Sequence, residues 1–166
     1  KFKRLISCLL TIVLLLSQTS IQIFAADGEK SEGKNNKTVI SVESKNAIPG
    51  GKVDVNVLIK NNPGILGGTL EFTFDKSLTL VKASNGETFS YLTMTKPGKF
   101  NSPCRFIWDG QECKDENIKD GTILTLTFEV SEDAETKKSF PIGVEVVNND
   151  FYDKNLEQIE VSTEEG

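Results

Sequence analysis

From Thr38 onward the apolar residues of this chain recur at every second position. Val53, Val55, Val57 and Ile59 alternate with Asp54, Asn56 and Lys60, broken only by Leu58, and Leu124, Leu126, Phe128 and Val130 alternate with Thr125, Thr127 and Glu129. An extended strand turns successive side chains to opposite faces, whereas a helix would need a repeat near 3.6. The pattern therefore predicts strands with one face in a core. Turn signals separate them: IPGG at 48–51, NNPG at 61–64, NG at 85–86, KPG at 96–98, and DG at 109–110 and 120–121. Nine strands follow, near 38–44, 52–60, 66–74, 78–83, 88–95, 104–109, 122–130, 140–147 and 157–162. No longer window carries a helical stripe, and Asp115–Lys119 has room for a single turn. The expected fold is an all-β, antiparallel sandwich. At about 130 residues, 38–166 is long enough to bury a sizeable core without staples.

The first 37 residues read differently. Lys1, Lys3 and Arg4 precede an apolar run from Leu5 to Leu16, and Ala25 and Ala26 supply small residues for cleavage. This is the pattern of a secretory signal peptide over residues 1–26, with an uncleaved anchor as the rival reading. The run is short for a membrane span, and Ser17, Gln18, Thr19 and Ser20 follow it where a stop-transfer anchor would carry basic residues. Residues 27–37, DGEKSEGKNNK, form a polar leader with no core residue. Cleavage removes three positive charges and no negative one, taking the formal net charge from −5 to −8. An acidic chain without a basic, aromatic-laced cluster repels phosphate backbones and anionic membranes, which argues against nucleic-acid and lipid partners.

Catalytic devices are scarce. There is no histidine, so nucleophile–imidazole arrangements are excluded. Carboxyls such as Glu71, Asp109, Glu112 and Glu145 are present in the number a glycosidase needs, but they fall at solvent-facing strand positions or in hydrated turns, without the apolar setting that raises an acid's pKa. The chain is read as non-enzymatic. Asn148, Asn149, Asp150, Asp153 and Asn155 make one dense oxygen cluster, lacking the glycine and terminal glutamate of a helix–loop–helix calcium site; it reads as an inter-strand loop, and no metal is assigned. Cys8 leaves with the signal peptide. Cys104 and Cys113 retain two readings, a disulfide closing a short loop or two free thiols with Cys104 packed beside Phe106 and Trp108.

The order of motifs adds to this. AIPGGKVDVNVLIKNNPGILGGTLEFTFDKSLTLVKASNGE, then FIWDG, DGTILTLTFEV and FPIGVEVVNNDFYDKNLEQIEV resembles the cohesin modules of bacterial scaffoldins, from about Val39 to Val161. The resemblance implies a nine-stranded jelly roll that binds a dockerin, a small calcium-loaded helical module carried by secreted polysaccharide-degrading enzymes or scaffold subunits. It places the calcium in the dockerin and no cofactor in this chain. It also implies an extracellular location, cell-surface association through partners, and polysaccharide contact only indirectly.

In that family one sheet face binds, formed by strands corresponding to the third, fifth, sixth and eighth here. Alternation supplies the phase. With Leu70, Phe72 and Phe74 inward, Thr69, Glu71 and Thr73 face out. With Leu92 and Met94 inward, Tyr91, Thr93 and Thr95 face out. With Phe106 and Trp108 inward, Arg105 and Ile107 are exposed, and Glu145 and Val147 share the outer phase of the eighth strand with Gly143. The partner-binding set is thus Thr69, Glu71, Thr73, Tyr91, Thr93, Arg105, Ile107, Glu145 and Val147. Where the commonest cohesins carry an asparagine and an acidic residue on the third strand, this chain has Gly67 and Thr69, which implies a different dockerin specificity. Two rivals share the architecture: a carbohydrate-binding module, which needs exposed aromatic rings while Trp108 falls in the inward phase, and an adhesin or surface-layer domain.

Overall fold

The computed structural model describes residues 37–166. The expected signal segment, 1–26, and all but the last residue of the expected leader, 27–37, lie outside them. Within 37–166 the strands are β1 (Thr38–Val42), β2 (Lys52–Lys60), β3 (Ile65–Phe74), β4 (Leu78–Asn85), β5 (Thr93–Thr95), β6 (Cys104–Asp109), β7 (Gly121–Val130), β8 (Ile142–Val146), β9 (Tyr152–Asp153) and β10 (Val161–Glu164), with one 3-10 turn at Asp115–Asn117. They form two sheets, ordered β10-β1-β2-β7-β4 and β5-β6-β3-β8, with β9 pairing β3.

Alternating burial shows why these segments are strands. Val53, Val55 and Val57 of β2 stand opposite Phe128, Leu126 and Leu124 of β7 within one sheet, and Leu70, Phe72, Phe106 and Trp108 line the inner side of the other. Phe74 of β3 meets Phe128 of β7 across the sheets edge to face with centroids 5.1 Å apart, while on the inner side of the second sheet Phe72 meets Phe106 at 5.8 Å and Phe89 meets Trp108 at 5.7 Å in the same manner. Such pairs add about 1 kcal/mol each to the burial of their rings. The Trp108 indole N–H donates to Asn85 Oδ1 at 2.9 Å, and Asn85 Nδ2 donates to the carbonyls of Phe89 and Leu92. One amide thereby satisfies the buried indole and ties the end of β4 to the segment crossing between the sheets.

That segment departs from expectation. A strand over 88–95 is observed only over Thr93–Thr95, because Phe89 and Leu92, three residues apart, are both buried. Consecutive turns, with Ser90 N–H donating to Glu87 O and Leu92 N–H to Phe89 O, satisfy the backbone instead. The crossing runs so close to β7 that a Cβ on Gly86 would lie 2.2 Å from Thr122 O. Two further differences concern the sheets. Among the described residues the strands number ten, since Tyr152–Asp153 is too short for alternation to mark, and β1 and β10 run parallel while the other named pairs are antiparallel. Beyond β10, Gly166 exchanges two backbone hydrogen bonds with Ile142 of β8 (3.0 and 3.2 Å), bridging the sheets along one side.

The disulfide reading is corrected. Cys104 and Cys113 are both free. Cys104 opens β6 opposite Phe72, while Cys113 lies past the far end of that strand, where a Cβ on Gly64 would come within 3.0 Å of its sulfur. Six strand residues alone span roughly 16 Å at ~3.3 Å per step, well beyond what a disulfide bridges. Burial pushes the Cys104 thiol up to about 11, with Glu71 adding a smaller contribution.

Candidate functional site

Antiparallel register aligns the outward side chains of β5, β6, β3 and β8 into rows crossing the sheet. In one row Thr95 opposes Ile107, which opposes Thr69, and the Thr69 carbonyl accepts the N–H of Val147 at 3.1 Å. Beside it run Arg105, Glu71 and Glu145, followed by Thr73 and Gly143. At the opposite end lie Thr93, Asp109, Gly67 and Tyr152. Ile107 is 45 % exposed between threonines, and Val147 is half-buried at the same level. An apolar centre within a polar rim is the anatomy of a protein-binding patch.

The charged row is internally balanced on one side only. Glu71 and Glu145 are direct cross-strand partners, and like charges so placed repel. Arg105 relieves Glu71, its Nε donating to Glu71 Oε2 at 2.5 Å, and Glu145 remains exposed.

Seven of the nine expected residues take outward positions on this face with their side chains exposed or half-buried: Glu71, Thr73, Thr93, Arg105, Ile107, Glu145 and Val147. Thr69 is outward in phase but only 7 % exposed. The loop after β8 folds over it, with Asp150 Oδ1 accepting the Thr69 N–H at 2.9 Å, so it forms the floor of the patch and offers little side chain to a partner. Tyr91 is displaced further. It sits in the turn before β5, half-buried, and its hydroxyl donates to the Ile65 carbonyl at 2.5 Å. Burial, reinforced by neighbouring Cys113, raises the phenol's pKa. Tyr91 thus fastens the turn to β3 and has no free hydroxyl to give.

On sequence alone Asp109 is weighed only as a candidate carboxyl, and neither it nor Tyr152 is placed on this face. Asp109 continues the Arg105–Ile107 alternation and was available to the same phase argument. Tyr152 joins the face only through the pairing of β9 with β3, which no periodicity announces. A polar hollow lined by Tyr91, Thr93, Asp109, Glu112, Lys114 and Asn117 adjoins this end.

Among the described residues no group of three histidine, cysteine or acidic side chains is placed to hold a metal. In the Asn/Asp-rich loop, Asp153 accepts from the N–H groups of Asn155 and Glu157 at 2.8 and 3.0 Å, which engages its carboxylate in shaping the turn. Trp108 is 1 % exposed with its N–H bonded inward, so it offers no stacking platform to a sugar. No helix of the described residues is long and apolar enough to cross a membrane.

The family model for the cohesin domain matches residues 38–166. The fold is similar to the cohesin of the Coh-OlpA–Doc918 complex, a type I cohesin–dockerin complex from Clostridium thermocellum, at TM-score 0.67 and 20 % identity over 79 % of this chain and 96 % of that one. It is also similar to the seventh ScaB type I cohesin of Pseudobacteroides cellulosolvens (TM-score 0.64, 16 % identity, 77 % and 86 % covered). A non-cellulosomal cohesin of the archaeon Archaeoglobus fulgidus is similar as well (TM-score 0.63, 19 % identity, 78 % and 88 %). A search of curated proteins returned no match. The jelly-roll sandwich and a family match spanning the whole described domain agree: the chain belongs to the cohesin domain family.

Proposed function

We propose that this chain is a non-catalytic docking module that holds a dockerin-bearing protein against the β5-β6-β3-β8 face. One observation carries the reading: Ile107 stands exposed at the middle of four hydrogen-bonded strands, with threonines beside it and charged residues in the adjoining row. A rigid sheet presents this surface already ordered, so docking costs little conformational entropy on this side. A patch of about 800 Å² per partner is sufficient for firm association. Two solved relatives, from the OlpA and OlpC complexes, are cohesins bound to dockerins, which supports the choice of partner.

Calcium belongs, on this reading, to the dockerin. The module is exported, its segment 1–26 serving as a cleaved signal peptide, and it acts outside the cell, where dockerins bring polysaccharide-degrading enzymes or scaffold subunits to it. The basic start, apolar run and small residues of that segment support export. The test is a calorimetric array of immobilisable dockerins, including Doc918 and Doc435, run with and without a calcium chelator, beside a pull-down on insoluble polysaccharide. Calcium-dependent binding to at least one dockerin and none to polysaccharide is expected; retention on polysaccharide with no dockerin bound would refute the assignment.

A further inference from the structure

Two adjacent glycines of β3 have different reasons to be glycine. A Cβ on Gly68 would collide with the Phe151 ring at 2.6 Å, so core packing explains that residue. A Cβ on Gly67 would meet only the Trp108 carbonyl, at 3.3 Å, and no side chain. Gly67 lies on the outer face, where its bare backbone separates Asp109 on β6 from Tyr152 on β9, both its direct cross-strand partners. With strands ~4.8 Å apart, those two residues stand roughly 10 Å from one another, enough for one aliphatic stem between them. The result is a notch in the docking face with a carboxylate on one wall and an aromatic ring, 41 % exposed, on the other.

We propose that this notch receives a long basic side chain, lysine or arginine, from the dockerin partner, and that Asp109 and Tyr152 thereby select which dockerins bind. The inference rests on the docking-face reading above. Asp109 is exposed and forms no ion pair among the described residues. The adjoining hollow carries Glu112 and Glu116 against Lys114 alone, which leaves this end negative. A basic side chain lays its stem along the tyrosine ring and its charged head on Asp109, combining aromatic and ionic attraction. An acidic or short partner residue would meet repulsion or leave the carboxylate desolvated without a counter-charge, which is how an interface rejects wrong partners. Gly67 is the residue that keeps the floor open; any side chain there would fill the space.

The experiment selects binders from a display library of Doc918 with its helix surface randomised, once against the wild-type domain and once against Asp109→Lys. Wild-type selections are expected to enrich lysine or arginine at one position, and those clones to bind Asp109→Lys and Tyr152→Ala about tenfold or more weakly. Gly67→Val should act in the same direction, and the two other variants stand if that one fails to fold. Selections on Asp109→Lys should replace the basic residue by aspartate or glutamate. Absence of a basic preference, or the same basic residue from both selections, overturns the proposal. Clones that lose affinity for Ile107→Asp yet ignore all three notch variants overturn the notch and leave the docking face standing. Clones indifferent to Ile107→Asp overturn the docking face itself, and a library without binders overturns both.

Discussion

Replacing Ile107 by aspartate tests the docking face at its centre. Its side chain is 45 % exposed in the free domain, and full burial of an isoleucine is worth about 1.5–3 kcal/mol. The portion still open to water can therefore contribute about 1 kcal/mol when a partner covers it. Aspartate loses that contribution and leaves a carboxylate stripped of water, opposed directly only by the uncharged Thr95 and Thr69. Burying an uncompensated charge costs several kcal/mol. Taking ~2 kcal/mol of it gives a total of about 3 kcal/mol, more than a hundredfold in Kd. Ile107→Ala, which lacks the charge, should cost about fivefold. Neither change touches the core, so the folded domain should lose at most about 1 kcal/mol, the span of strand propensities. Isothermal titration with a dockerin that binds the wild type supplies the affinities, and thermal unfolding monitored by Trp108 emission verifies the fold. A folded Ile107→Asp domain with unchanged affinity would refute the placement of the interface.

Three further outcomes follow from particular contacts. Arg105→Gln leaves Glu71 facing Glu145 without a counter-charge; because the guanidinium is largely exposed, the loss should be only about 0.5–1 kcal/mol and should shrink as salt is added, which urea unfolding at two ionic strengths will show. Trp108→Phe removes the donor to Asn85 and part of a fully buried ring, and should destabilise the domain by about 2–4 kcal/mol in denaturant titration. Both thiols should titrate as free in denaturant, while in the folded protein Cys113 should react with iodoacetamide well before the buried Cys104. Since the Cys104 pKa is raised from 9.0 to about 11, the folded state favours the neutral thiol. Its contribution is complete below pH 9 and should decline as pH rises through that window, a decline Cys104→Ala should lessen.

The sheets were legible because alternation is local. Eight residues of β2 or six of β6 suffice to show which side is buried, and from that phase the outward positions of Glu71, Arg105, Ile107 and Glu145 follow. What escaped depends on contacts distant in sequence. Tyr91 obeys the same alternation on paper, yet the burial of both Phe89 and Leu92 bends the chain before β5 and turns the phenol toward Ile65. Thr69 keeps its phase and loses its exposure to a loop eighty residues downstream. Tyr152 gains its place from two residues of pairing, too few for any periodic signal. The cysteines were undecided in sequence because spacing of nine residues is compatible with a bridge across a turn; a straight strand between them removes that option.

The parallel neighbours β1 and β10 carry a mechanical consequence. The backbone enters the first at Thr38 and leaves the second after Glu164, at the opposite end of the shared ladder. A tether stretching the domain between these points drags the two strands past each other along their length. Every bond joining them bears load simultaneously and must yield together, where an antiparallel hairpin pulled from its open end would peel one rung at a time. An anchor built this way resists tension in the direction in which a linked chain would deliver it, and single-molecule extension should register one abrupt rupture.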